Sequence, residues 1–180
     1  MLANELPLTV LDSMKTNTGE TVYEQSQTKP IMLVFLRHFG CTFCREALSD
    51  LSKQREEIEQ LGVKLVFVHM SDEETANEYF NEYHLAGSTH VCDPECRYYQ
   101  AFGLAKGSFN QLFGLATWIR GFSAGVVAGH GIGPRLGDDT QMPGIFIVSK
   151  GEIKNSFVHK LASDRPDYIR FARESFLETD

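Results

Sequence analysis

Apolar positions along this chain fall into short unbroken runs separated by stretches with a three-and-four spacing. Ile31-Met32-Leu33-Val34-Phe35-Leu36, opened by Pro30, is apolar on both faces at strand length, which is the pattern of a central strand covered by helices. From Phe43 to Leu61 the spacing turns helical: Phe43, Ala47, Leu48, Leu51, Ile58 and Leu61 share one face, Ser, Lys, Arg and Glu fill the other, and Gly62 ends the element. Val63–Val68 is the next apolar strand. Strand, crossover helix and strand together predict a right-handed βαβ unit with a parallel pair.

The remaining segments extend this α/β reading. Leu8–Asp12 and Glu20–Tyr23, split by Thr16-Asn17-Thr18-Gly19, are expected to form a small N-terminal hairpin. Ser71-Asp72-Glu73-Glu74 resembles a capping box opening a helix to about Tyr83 that buries Ala76, Tyr79, Phe80 and Tyr83. Thr89–Cys92 reads as a short strand. Asp93-Pro94 then supplies a cap and a first-turn proline for a helix to Phe102, stopped by Gly103. Ile145–Ser149 and Glu152–Val158 flank a two-residue turn at Lys150-Gly151. Pro166 opens a last helix placing Ile169, Ala172, Phe176 and Leu177 inward. Residues 104–141 read as a helical insertion, with a helix at Ser108–Ile119 and a glycine-rich stretch behind it.

Composition narrows the classes. With 180 residues, 42% hydrophobic and 23% charged, the chain can bury a substantial core and is expected to be one domain spanning 1–180. A net charge of −7 leaves no broad basic surface for a polyanion, so nucleic acid is not an expected partner. No apolar run reaches the roughly 18 residues of a membrane span, and the N-terminus lacks a signal-peptide pattern. A soluble cytoplasmic protein without a membrane partner is therefore expected. In that compartment paired cysteines are more often catalytic or metal-binding than structural.

The four cysteines thus carry the chemical question. Cys41-Thr42-Phe43-Cys44 lies between the end of an apolar strand and the start of a helix, the context in which Cys-x-x-Cys is a redox motif. Cys41 falls at the helix entrance, where unpaired N–H groups and the dipole stabilise a thiolate and favour its attack. Cys44, one turn in, is positioned to resolve the resulting mixed disulfide or sulfenic acid. Arg37, His38 and Arg45 flank the pair in sequence, either adding positive potential or lying solvated at the surface.

Cys92 and Cys96 form a candidate second thiol pair. The alternatives are a four-cysteine zinc site shared with Cys41 and Cys44, or Cys92 as packed core with Cys96 incidental. The last is preferred, because zinc clusters favour knuckle turns over the ends of apolar strands. No cofactor or metal is assigned: Gly125–Gly133 lacks the Lys-Ser/Thr ending of a phosphate loop. Phe109, Leu112, Phe113, Leu115, Trp118, Ile119 and Phe122 make the insertion unusually apolar, suited to ordinary packing, to covering a substrate pocket or to a homodimer contact.

The segment Phe35-Leu36-Arg37-His38-Phe39-Gly40-Cys41-Thr42-Phe43-Cys44-Arg45-Glu46 resembles the signature of the peroxiredoxin-like branch of the alkyl hydroperoxide reductase and thiol-specific antioxidant superfamily. The resemblance continues through Cys92-Asp93-Pro94-Glu95, Tyr99 to Gly103, Gly137–Gly144 and Asp164-Arg165-Pro166. It implies a thioredoxin-like fold, a central mixed sheet flanked by helices, and an antioxidant oxidoreductase. The substrate would be a small-molecule peroxide or disulfide, with an external dithiol reductant of the thioredoxin or glutathione type. In such a fold the proline before the penultimate strand, here Pro143 after Met142, lies against the active-site pair and is commonly cis. Aligned on Cys41, His38 stands where true peroxiredoxins carry a Thr, and Val34 where they carry a Pro. Peroxidase chemistry, pure disulfide reduction and a non-catalytic redox-sensing or zinc-binding role thus stay open. Arg120 and Arg135 are candidates for a substrate-polarising arginine.

Overall fold

A computed structural model describes residues 8–104, 106–108, 138 and 140–174. Its sheet contains β1 (Ile31–Phe35), β2 (Lys64–His69), β3 (Thr89–Cys92), β4 (Gly144–Ser149) and β5 (Glu152–Val158), in the order β3-β2-β1-β4-β5. β1 is the pivot, parallel to β2 on one side and antiparallel to β4 on the other. β3 extends the parallel half and β5 the antiparallel half. The helices are α1 (Leu8–Ser13), α2 (Val22–Thr28), α3 (Thr42–Gln60), α4 (Glu73–Glu82), α5 (Arg97–Ala101) and α6 (Tyr168–Glu174). A mixed sheet flanked by helices is the expected thioredoxin-like α/β arrangement.

The period-two geometry of β1 divides the core into two layers. Met32 and Val34 face a cluster built with α3, α4 and α6, including Leu48, Leu51, Phe80 and Phe171. Ile31, Leu33 and Phe35 face the opposite cluster, where α1, α2 and α5 contribute Leu11, Val22 and Tyr99 and the residue after α1 contributes Met14. The helical spacing read from Phe43 to Leu61 holds, with Leu48, Leu51 and Ile58 fully buried and Phe43, Ala47 and Leu61 packed at the margin. Of the inward set predicted for the last helix, Ala172 is buried and Ile169 partly so, while Phe176 and Leu177 lie outside the described residues. So does nearly all of the insertion.

The expected N-terminal hairpin is replaced by two helices. Only an isolated bridge, Lys15 to Thr21, joins the two segments. The cause is a capping box: Glu24 N–H donates to Thr21 Oγ1 at 3.1 Å and Thr21 N–H to Glu24 Oε2 at 2.8 Å. The resulting packing hides Leu11, Met14 and Val22 completely, which an exposed two-stranded ribbon could not do. At α4 the cap is Asp72 rather than Ser71, its Oδ1 accepting from Thr75 N at 2.8 Å. Lys150-Gly151 turns as expected, with φ of 52° and 78°. At Gly151 a Cβ would also meet Tyr23 Cε2 at 2.7 Å, so the turn sits flush on α2.

The segment after β3 differs from expectation too. Residues 93–96 form a turn, with Cys96 in the left-handed region at φ 54°, and the helix begins only at Arg97. Asp93 still caps it, Oδ1 accepting from Arg97 N (2.9 Å) and Oδ2 from Tyr98 N (2.8 Å) and Tyr99 N (3.3 Å).

Candidate functional site around Cys41 and Cys44

β1 ends in a buried connection, Leu36 to Gly40, that delivers Cys41 to the start of α3. Leu36 N–H continues the ladder by donating to Val68 O at 2.9 Å. The Tyr99 hydroxyl, fully buried, reaches both Leu36 O and Val68 O, so one side chain from α5 pins the ends of β1 and β2 together. Cys41 N–H then closes a turn onto His38 O at 2.9 Å. Cys41 is the N-cap residue of α3 with extended backbone (φ −77°, ψ 126°), and its carbonyl accepts from Arg45 N at 3.1 Å. This is the placement predicted from the strand–turn–helix pattern.

The two sulfurs differ in surroundings. Arg37 Nη1 donates to Cys41 Sγ at 3.0 Å, a charge-assisted contact. Cys44, one turn deeper, is fully enclosed. Burial pushes its thiol far above the usual range, a neighbouring Cys41 thiolate pushes it the same way, and Arg37 and Arg45 oppose the shift. Arg37 is itself buried at 7% exposure and donates through Nε to Gln141 O at 3.2 Å. The guanidinium thus spans from the sulfur to the backbone just before Met142-Pro143. Gln141 is held in turn by Nε2–H donation to Leu104 O at 2.9 Å.

Met142 is buried and packs with Phe43 and Ala162 beside the Cys-x-x-Cys turn. Pro143 lines a small cavity of about 30 Å³ together with Arg37, Cys44, Glu46, Asp50, His159, Arg165 and Tyr168. The peptide bonds among the described residues are trans. Two of the lining groups went unread in the sequence. Glu46 and Asp50 belong by spacing to the polar face of α3, yet each is only 5% exposed. Arg165 explains them, forking onto Asp50 with Nε–Oδ2 and Nη2–Oδ1 both at 2.6 Å and approaching Glu46 at 3.6 Å. The Asp164-Arg165-Pro166 segment was the available signal.

The other sequence candidates separate. His38 is buried in the loop at 8% exposure. Arg45 points away toward α4, bonding Glu82 at 3.1 Å and lying over Tyr79 and Tyr83. Cys92 and Cys96 reverse the preferred reading: Cys92 is exposed and Cys96 buried. Cys92, the last residue of the edge strand β3, is left open, whereas the left-handed turn folds Cys96 into the core beside Tyr99 and Phe102. Neither belongs to the Cys41–Cys44 site; Cys92 lies instead beside His69 and His90. Arg120, Arg135 and the glycine-rich stretch lie outside the described residues. Among the described residues no helix is long and apolar enough to cross a membrane.

Known proteins share this fold. The profile of the family described as AhpC/TSA antioxidant enzyme matches residues 50–163, well over half the chain, beginning just beyond the Cys-x-x-Cys turn. A prostamide/prostaglandin F synthase of Salmo salar is 29% identical over 87% of this chain and 78% of its own length. The protein of that name from Sus scrofa is 29% identical over 82% and 75%. Among solved structures, Xanthomonas campestris peroxiredoxin Q superposes with a TM-score of 0.65 over 98% of both chains at 15% identity. The bacterioferritin comigratory protein of the same organism gives 0.61 over 87% of this chain and 86% of its own at 14% identity. At such identities the likeness is one of fold. The chain belongs to the AhpC/TSA antioxidant enzyme family, with the thiol-based redox character of that family on a thioredoxin-like fold.

Proposed function

We propose that residues 1–180 act as a single-domain thiol-dependent oxidoreductase in which Cys41 is the nucleophile and Cys44 the resolving thiol. The observation that carries this reading is the asymmetry of the pair, with Arg37 Nη1 3.0 Å from Cys41 Sγ and Cys44 buried one turn behind. With a peroxide, the Cys41 thiolate attacks the O–O bond, giving a sulfenic acid and, after proton uptake, an alcohol or water. Cys44 then condenses with the sulfenic acid, releasing water and leaving a Cys41–Cys44 disulfide. An external dithiol reduces that disulfide by exchange and is itself oxidised. Pro143 and Met142 border the pair and offer backbone against which an extended thiol partner can lie.

A second reading, disulfide reduction without peroxidase activity, is favoured by His38 occupying the position of the peroxiredoxin Thr. Stopped-flow reaction of the reduced protein with hydrogen peroxide separates the two. Fast oxidation abolished by Cys41→Ser, with sulfenic acid accumulating in Cys44→Ser, supports the peroxidase. Oxidation no faster than a free thiol sinks it and leaves exchange with a protein disulfide as the activity. The relatives named prostamide/prostaglandin F synthase make a peroxide of that lipid class the second substrate to test.

A further inference from the structure

We infer that His69, His90 and Cys92 form a second site, separate from the Cys41–Cys44 pair, that binds a borderline divalent d-block cation of the zinc type. The register of the sheet puts them together. His69 closes β2 and pairs with Cys92, which closes β3, while His90 precedes Cys92 by two and so shares its face. Three donors therefore converge at the carboxyl ends of two parallel strands, on the side covered by α4.

The geometry suits such an ion. His69 Nε2 and His90 Nδ1 are 2.8 Å apart, Cys92 Sγ is 3.9 Å from His69 Nε2, and the donor atoms lie within 4.8 Å of one another. Tetrahedral zinc with bond lengths of about 2.0–2.1 Å to nitrogen and 2.3 Å to sulfur needs donors roughly 3.3–3.6 Å apart. The two imidazoles must part by about 0.5 Å and Cys92 Sγ close in by up to about 1.2 Å, a movement open to its exposed side chain. Both imidazoles are almost fully buried. His90 Nε2 makes no hydrogen bond in its buried place.

The scaffold is rigid. Asn17 clamps the His90 backbone from both sides, Oδ1 accepting from His90 N at 2.9 Å and Asn17 N–H donating to His90 O at 3.0 Å. Phe39 and Phe80 wall in the His69 ring. The Cys92 side is open: a cleft lined by Met70, Ser71, Asp72, Thr75, Cys92 and Pro94 gives entry and a free coordination position. Asp72 and Glu73 supply negative potential there, which favours a cation. On binding, Cys92 S–H ionises and its proton passes to solvent, while the proton held between the two imidazoles moves to the outer nitrogen of the ring that carries it, His69 Nδ1 or His90 Nε2.

The test uses the full chain, reduced and stripped of metal, titrated with Co²⁺ as an optical stand-in for Zn²⁺. A thiolate-to-cobalt charge-transfer band is expected to saturate at one equivalent and to be removed by Zn²⁺. It persists in the Cys41→Ser/Cys44→Ser double variant and vanishes in Cys92→Ser, whose exposed side chain makes the change safe for folding. Where His90→Gln folds, it weakens binding by at least about tenfold. Absence of the band, its survival in Cys92→Ser, or its loss in the Cys41→Ser/Cys44→Ser variant overturns the assignment, the last by placing the metal at the Cys-x-x-Cys turn.

Discussion

Replacing Arg37 by Met removes the donor 3.0 Å from Cys41 Sγ while keeping most of the buried volume. A hydrogen bond to a charged group contributes about 1.5–3 kcal/mol, which corresponds to roughly a 10- to 150-fold loss of support for the reacting sulfur. Part of that loss is returned, because a less stabilised sulfur nucleophile reacts faster, by about threefold for each tenfold change. The second-order rate of Cys41 alkylation by iodoacetamide is therefore expected to fall about four- to fifteen-fold, read where the wild-type rate still rises with pH. A Cys44→Ser/Cys92→Ser background isolates the Cys41 signal, since Cys92 is exposed and Cys96 buried. Arg37→Lys, which keeps the charge but not the fork that also reaches Gln141 O, should fall between the two. An unchanged alkylation rate in an Arg37→Met protein with a native circular dichroism spectrum would refute the reasoning.

Other expectations follow from the same contacts. Arg165→Ala leaves the buried Asp50 carboxylate without its fork; with Arg165 half-exposed, the loss should be about 1–3 kcal/mol by urea unfolding, and a loss below about 0.5 kcal/mol counts against the pair as a structural tie. Tyr99→Phe strips a shared donor from Leu36 O and Val68 O and should cost about 1–3 kcal/mol in the same assay. His159 is pushed down by burial to about 4, Asp164 opposing. Since the unfolded chain takes up this proton near pH 6.5 and the folded one only near 4, stability falls as pH drops through that interval, by up to about 1.4 kcal/mol per pH unit. His159→Gln should flatten that part of the curve; an unaltered slope assigns the acid sensitivity elsewhere.

The elements around the Cys-x-x-Cys turn were legible because their signals are local. An apolar run opened by Pro30, a break at Gly40, and the spacing of Leu48, Leu51 and Ile58 suffice to place Cys41 at a helix entrance. What escaped depends on partners far away in sequence. Glu46 and Asp50 look like solvated positions until Arg165 is brought over them, and Tyr99 looks like ordinary core until its hydroxyl meets two strand ends. The N-terminal error has another cause. Thr21-x-x-Glu24 is itself a helix-start signature that went unread behind the turn-like Thr16–Gly19 segment. The His69–His90–Cys92 group was hidden because only the register of β2 against β3 brings it together.

Arg37 joins Cys41 to a carbonyl 104 residues further along the chain, and β1 likewise waits for β4 on its antiparallel side. At a ribosomal pace of about 5–20 residues per second, that separation is roughly 5–20 s of synthesis. During this interval β1, α3 and β2 can already assemble, with both thiols in place, before the strand that walls them in exists. The nascent site is therefore open to the redox poise of its surroundings before its own pocket takes control, and closing it is a late event in the life of each chain.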